Sequence, residues 1–477
     1  MKDQTTDLIP DDTVVVIFGA NGDLSKRKLL PALYHLHVEG LLPRQWRIVG
    51  NARSEVSDEE FRGIARQAVE DDGRATVDPE EWDAFADRLS FASCEFNAED
   101  IETLAGAVER AEAEIDGSPR RLFYLSTPPS TFGPITEGLG KSDLKERARV
   151  VYEKPFGVDP EDFLELDQLV RGVLDEEQIY RIDHFLGKES VQNIHALRFA
   201  NGMFEAMWNR AHIDHVQIDV PEELGIGSRA GFYEKTGALR DMLVTHLFQV
   251  LSVVAMEPPS TLEQGPLIDE KVKVFESMRE LEPDDVVLGQ YEGYRDADGV
   301  ADDSQTDTFV AARVFIDNWR WDGVPFFLRT GKRLAQKRQT VTLAFRRPPS
   351  TMFRGVKREG LDQDHLTFEL AGEEGVSLSF LAKQPGPTIE LGRATMAFNY
   401  EKTFGSDLIE AYERLIHDAL LGDRTLFTRA DGIGRTWEIV SAILDNPPPI
   451  QPYAQDSWGP QAAEDLIAPR RWHLPDE

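Results

Sequence analysis

The 477-residue sequence has one cysteine, Cys94. No disulfide can close within the chain, which fits a reducing compartment. No run of about 18 consecutive apolar residues occurs, so no membrane span is expected. Residues Met1 to Asp12 are polar and acidic, unlike the basic-then-apolar start of a secretory signal, and the expected location is cytoplasmic. Repeats, low-complexity tracts and the Cys/His spacings of a metal site are also missing, and no metal is expected. Positive charge is in short supply. Against 85 Asp and Glu there are 52 Lys and Arg, a formal net charge of −33. That balance speaks against nucleic acid or an anionic membrane as partner. The acids are spread along the chain, and Arg greatly outnumbers Lys. Two readings stay open: a surface adapted to high salt, where repulsion is screened, and an ordinary acidic cytosolic enzyme.

What is present is ample for folding. Apolar residues make up 41% of the chain, and its length points to two domains. The scarce lysines are unevenly placed. Lys26, Lys28, Lys154, Lys188, Lys332 and Lys337 all fall in segments that carry motifs, as expected where an acidic protein handles anions.

Thr13 to Phe18 is a continuous apolar, β-branched run that reads as a buried parallel strand. Gly19-Ala-Asn-Gly-Asp-Leu-Ser25 follows, and then leucines at helical spacing from Leu24 to Leu36. Strand, glycine turn and helix form a phosphate-binding geometry, because the helix N-terminus offers unpaired N–H groups. The match to G-x-G-x-x-G is incomplete, since Ala20 or Asn21 stands at the middle glycine and Ser25 near the third. A second strand, Trp46 to Gly50, leads to Arg53. An arginine in place of the usual acidic residue suits a 2′-phosphate and favours NADP, with NAD as second choice. Helices are expected over Ser57 to Glu70 and Ile101 to Ile115, and strands over Arg121 to Ser126 and Arg149 to Gly157. In an open α/β sheet, ligands lie beyond the carboxyl ends of the strands. Thr127 to Pro129 and Glu153 to Pro155 therefore belong at the cofactor crevice, where Lys154 could reach an anion.

Tyr180 to Glu189 packs Arg181, Asp183, His184, Lys188 and Glu189 among apolar positions. If helical, His184 and Lys188 stand four apart on one face and could clamp a phosphate, while Asp183 orients another group. Beyond Val191 the character changes. His195 to Ala200 and Val216 to Val220 read as strands, and Gly237 to Leu251 as an apolar helix carrying Arg240, Asp241 and His246. Charges there demand partners or a cleft. Phe309 to Asp317, Thr340 to Arg346 and Leu366 to Leu370 alternate as strands of an antiparallel sheet. Trp321 to Lys332 ends in a basic patch with Arg333, Lys337 and Arg338.

Five motifs recur in one order: Gly-Ala-Asn-Gly-Asp-Leu-Ser-Lys-Arg-Lys (19–28), Glu-Lys-Pro-Phe-Gly (153–157), Arg-Ile-Asp-His-Phe-Leu-Gly-Lys-Glu (181–189), Gly-Ala-Leu-Arg-Asp with its later His (237–246), and Val-Pro-Phe-Phe-Leu-Arg-Thr-Gly-Lys (324–332). Ala411 to Asp418 and Trp458-Gly-Pro460 extend the series to nearly the full chain. In this order and spacing the sequence resembles the glucose-6-phosphate dehydrogenase family. The resemblance implies an α/β Rossmann-like dinucleotide-binding domain, residues 1–184, followed by a larger α+β substrate and dimerisation domain, residues 185–477, with a big, mainly antiparallel sheet. It implies oxidation of β-D-glucose 6-phosphate at C1 with NADP, the first step of the oxidative pentose phosphate pathway, by a homodimer or dimer of dimers. His246 would be the general base and Asp183 its orienting carboxylate. His184 and Lys188 would bind the substrate phosphate, and Lys154, Lys332 and the neighbouring Lys337 would contact substrate. Glu222 and Asp241 would bond the sugar hydroxyls. Gly19, Asn21, Gly22, Asp23, Leu24, Lys28, Arg53, Lys154 and Pro155 would line the cofactor. Three positions depart from the family pattern. Phe185 replaces a common tyrosine, losing a hydroxyl whose bond to phosphate is worth roughly 1.5–3 kcal/mol. Thr245 replaces asparagine, and Asn21 replaces serine or threonine. The rival reading is a catalytically inactive NADP-binding or sensing protein. Intact Asp183, His184, Lys188 and His246 argue against it, since a binding module needs no base with an orienting partner.

Overall fold

The computed structural model describes residues 8–349, 352–353, 363–405 and 409–474. The chain divides into two compact units. One comprises residues 1–187 together with 260–268 and 409–434, and the other 188–259, 269–408 and 435–477.

The first unit is built on a six-stranded sheet: β1 (Thr13–Phe18), β2 (Trp46–Ala52), β3 (Leu89–Ser93), β4 (Arg120–Leu125), β5 (Ala148–Tyr152) and β6 (Ile179–Arg181). Its order is β3-β2-β1-β4-β5-β6, and every pair is parallel. This is the expected Rossmann-like arrangement, with its direction of winding reversed between β1 and β4. Helices cover both faces of such a sheet, so its strands need no polar side. All six residues of β1 are buried accordingly. Ser57 caps the helix Asp58–Asp72: its side chain accepts from Glu60 N, and Glu60 answers at Ser57 N. Such a reciprocal cap contributes about 1 kcal/mol. Helices Pro79–Ala86 and Pro160–Val173 go beyond the sequence expectations; each opens on a proline, whose missing N–H costs nothing in a first turn.

Among the described residues the second unit holds nine strands: β7 (Ile213–Pro221), β8 (Val286–Tyr291), β9 (Phe309–Val314), β10 (Phe326–Gly331), β11 (Thr340–Phe345), β12 (His365–Glu369), β13 (Gly375–Lys383), β14 (Leu391–Asn399) and β15 (Gln451–Tyr453). They run in the order β14-β13-β12-β11-β7-β10-β9-β8-β15. Of these described strands only β7–β10 and β8–β15 pair in parallel, so the sheet is mainly antiparallel as expected.

Two local expectations need correction. His195 to Ala200 is not a strand but the end of the helix Glu189–Phe199, whose buried residues Ser190, Val191, Ile194, His195 and Arg198 form a helical stripe. Residues 182–188 are not helical either. Asp183 Oδ1 accepts from Phe185 N at 2.9 Å and its carbonyl from Leu186 N at 3.1 Å. An aspartate that captures a nearby backbone donor competes with helix formation. The helix therefore waits until Glu189. Separately, one run among the described residues, Ala230–Ala255, is long and apolar enough by length and composition to cross a membrane. Asp241, His246 and Gln249 interrupt it in sequence, and 89% of its apolar window is buried inside the protein.

Candidate functional site

In the first unit the turn after β1 is fixed by backbone. Gly19 has φ +73°, and a Cβ there would stand 2.6 Å from Ser126 O, so only glycine fits. Gly19 N and Ala20 N both donate to Asn51 O, at 2.8 and 3.1 Å, and Gly22 N donates to Gly19 O at 2.8 Å. Ser25 Oγ bonds Gly19 O at 2.9 Å and shares a hydrogen bond with Ser126 Oγ at 2.7 Å. The ends of β1 and β4 are thereby tied together where the sheet reverses. The helical run that follows is π-type over Ser25–Leu29 before it becomes α over Leu30–Val38. Its first residues, Asp23 and Leu24, keep the turn close to a helix N-terminus, which suits a phosphate. Asn21 Nδ2 donates to Ser54 Oγ at 2.6 Å. Beside Ser54, Arg53 lies just past β2, 81% exposed, with Glu95 at 3.9 Å. Lys28 pairs with Glu410 within the same unit. A backbone cradle with a solvent-facing guanidinium at the end of β2 fits NADP.

At the end of β5, Glu153 is buried and accepts from Tyr124 Oη at 2.7 Å. Burial pushes its carboxyl up to about 7, offset in part by Tyr124 and Lys154 and helped by the negative Asp183. Lys154 is half-buried, and a cis bond joins it to Pro155, which is buried. Asp183 is 3% exposed. The ring of His184 stacks on Tyr412, with centroids 6.0 Å apart and planes 13° from parallel.

In the second unit, the helical run bearing Asp241 and His246 is π-type over Leu239–Leu247. Asp241 is 7% exposed and His246 fully enclosed. Thr245 spends its hydroxyl on Asp241 O at 2.5 Å. Gly237, at φ +63°, sets the entry to this segment, and the Asp307 carboxylate lies so close to it that no side chain would fit. Asp307 Oδ2 accepts from Leu239 N at 2.6 Å. Glu222 follows β7 and Lys332 follows β10; these strands are parallel neighbours, so both residues emerge at the same sheet end. Lys332 Nζ meets Glu222 Oε2 at 2.7 Å. Lys188 precedes the helix Glu189–Phe199 and bonds Gln339 and, at 3.2 Å, Leu370 O. Lys337 is exposed; its backbone N donates to Glu223 at 3.1 Å.

The structure thus gathers Gly19 to Leu24, Lys28, Arg53, Lys154, Pro155, Asp183 and His184 in one unit. Lys188, Glu222, Asp241, His246, Lys332 and Lys337 belong to the other. Sequence reasoning assigned no role to Tyr124, Tyr412, Asp307 or Tyr233. Their partners lie tens to hundreds of positions away, and no local pattern announces them.

The family profile described as Glucose-6-phosphate dehydrogenase, NAD binding domain matches residues 16–193, and that described as Glucose-6-phosphate dehydrogenase, C-terminal domain matches 195–473. The glucose-6-phosphate 1-dehydrogenase of Chlamydia muridarum is 40% identical over 481 residues, covering 95% of each chain. The crystal structure of glucose-6-phosphate 1-dehydrogenase from Mycobacterium avium superposes with a TM-score of 0.88 at 40% identity, covering 98% of this chain and 99% of that one. A glucose-6-phosphate dehydrogenase in complex with its substrate glucose 6-phosphate gives a TM-score of 0.90 at 33% identity, with the same coverage.

Proposed function

Because the chain belongs to the glucose-6-phosphate dehydrogenase family, we propose that it oxidises β-D-glucose 6-phosphate at C1 to 6-phosphogluconolactone, with His246 taking the proton of the C1 hydroxyl. The observation that carries the assignment of the base is His246 itself, an imidazole wholly enclosed on the helical segment that also bears Asp241, within the family's motif. Imidazole suits the task because its ordinary pKa of about 6.5 lies near working pH. Asp183 orients that ring and stabilises its charged form. NADP, when bound, accepts the C1 hydride. Residues 1–184 hold the cofactor on the Gly19–Leu24 turn, with Lys28, Lys154 and Pro155 beside it and Arg53 at the 2′-phosphate. Residues 185–477 serve the substrate and dimerisation. His184 and Lys188 take the substrate phosphate, Lys154, Lys332 and Lys337 add positive charge, and Glu222 and Asp241 bond the sugar hydroxyls.

A homodimer, or a dimer of dimers, is part of the same proposal. It is supported by β14, a nine-residue strand at the sheet edge on which Met396 is 58% exposed. Edges of this kind invite pairing unless they are covered. Light scattering checks it, and a monomer at all concentrations would remove it. A cytoplasmic location completes the proposal, and its support is the single cysteine.

The deciding assay follows absorbance at 340 nm with glucose 6-phosphate and NADP, then NAD, at low and at molar salt, with unphosphorylated glucose as control. Reduction of NADP that requires the phosphate is expected. Equal rates with NAD would demote Arg53 from selector to general contact. No reduction by folded protein in any condition would leave the reading of a non-catalytic NADP-binding protein.

A further inference from the structure

Lys332 carries a positive charge into a nearly closed part of the second unit, where its side chain is 13% exposed. One partner is Glu222. The other is a ring: Lys332 Nζ lies 5.1 Å from the centroid of Tyr233, which is 3% exposed. An ammonium within about 6 Å of an aromatic face is attracted by the ring quadrupole, more strongly where water is excluded. The ring itself cannot drift. It belongs to a core cluster with Ile226, Tyr291, Tyr294, Phe309 and Leu334, on the helix Ala230–Ala238. It also stays neutral, because burial, then Asp241, Asp307 and Glu222, hold the phenol well above its ordinary pKa. The contact is therefore cation–π rather than an ion pair with a phenolate.

We infer that Tyr233 is a positioning residue of the substrate half, its ring face holding the Lys332 ammonium beside Glu222 without consuming any of that ammonium's hydrogen-bond donors. An ammonium has three donors and no acceptor. A second carboxylate in place of the ring would occupy another donor and cancel the charge. The ring fixes the ammonium through its face, leaving donors for Glu222 and for substrate oxygen. The inference rests on the assignment of Lys332 to the substrate.

The test measures KM for glucose 6-phosphate, and kcat, in Tyr233→Phe, Tyr233→Leu, Lys332→Met and the double variant Lys332→Met/Tyr233→Leu. Tyr233→Phe keeps the ring face and should hold KM within about twofold. Tyr233→Leu should raise KM about three- to tenfold, with kcat little changed. The double variant should be no worse than Lys332→Met, because the ring acts only through the lysine. Additive effects, or a Phe variant as impaired as the Leu variant, would overturn the inference. If Lys332→Met raises KM while Tyr233→Leu does not, the positioning role alone fails. If Lys332→Met leaves KM unchanged, the substrate assignment fails and takes the inference with it. Should Tyr233→Leu not fold, phenylalanine with zero, one and three ring fluorines at position 233 is nearly isosteric. KM climbing with fluorination supports the inference, and a flat series overturns it.

Discussion

Two sets of charged groups, one in each unit, are held in opposite ways. In the first, the groups proposed for the cofactor are backbone N–H groups of a tight turn and a guanidinium that is 81% exposed. In the second, three of the groups proposed for the substrate are enclosed: His246 has no exposed surface, Asp241 is 7% exposed and the Lys332 side chain 13%. An exposed cation keeps its water until the ligand arrives, so its net contribution is small and screened by salt. An enclosed one is desolvated when the chain folds and must be held by partners, so removing it changes much more. Cofactor choice should therefore yield gradually to single substitutions, and the chemistry at C1 should not. Each unit carries a π-helical segment beside proposed site residues, Ser25–Leu29 in one and Leu239–Leu247 in the other. Such segments are frequent at functional sites.

The comparison breaks first if His246 is dispensable. His246→Asn should lower kcat by about 10³-fold, within the range of general-base catalysis, while calorimetry finds glucose 6-phosphate binding nearly unchanged. A variant with near-normal turnover would mean another group takes the proton. Asp183→Asn is the next largest. Asparagine can still accept from Phe185 N, so the turn after β6 persists. The carboxylate is lost, and kcat should fall about 10- to 100-fold. A variant with parental kcat would separate Asp183 from the base.

The same contrast explains what could be read from the chain. The cofactor turn was legible because its requirements are local: an apolar run, a glycine at positive φ, a helix start. Arg53 followed from its place after the second strand. The phosphate clamp was proposed from a helical spacing that the chain does not adopt, since the Asp183 side chain ends β6 in a turn. His184 and Lys188 remain a proposed pair, carried by the family motif, which does not depend on the helix. Long-range partners left no trace. Asp307 lies 68 positions from the Leu239 N–H that it binds. Two segments, 260–268 and 409–434, return to the first unit from far along the chain, which periodicity cannot reveal. His195 to Ala200 was misread because six residues cannot separate alternation from a helical stripe.

A smaller effect sharpens the cofactor side. Arg53→Ala should raise KM for NADP about tenfold and leave KM for NAD nearly unchanged, as expected for one exposed charged contact to a phosphate. Glu95, 3.9 Å from Arg53, competes for the same guanidinium. Glu95→Gln should lower KM for NADP about twofold at low salt, and the gain should vanish at molar salt. Equal shifts for both cofactors would show that Arg53 does not select.

The smallest effect concerns the enclosed side and is read as stability. The Asp307 carboxyl is pushed up to about 6, chiefly by burial, although the Leu239, Asp307 and Ala238 N–H groups and Arg240 pull it down. Below the unfolded pKa of 3.8 both states are protonated and the group contributes no pH dependence. As pH rises towards 6 the unfolded chain ionises first, so the folded state loses relative stability, on the order of 3 kcal/mol in all. Above 6 the loss is complete and constant. Asp307→Asn can still accept from Leu239 N but cannot ionise. Its Tm advantage over the parent should be near zero at pH 4, grow through pH 6 and level off at a few degrees. Asp307→Ala removes the acceptor as well and should be less stable than Asp307→Asn at every pH, since an N–H left unpaired in a buried site costs about 1–3 kcal/mol. An advantage of Asp307→Asn that did not vary with pH would show that the helix entry, unlike His246 beyond it, is insensitive to charge.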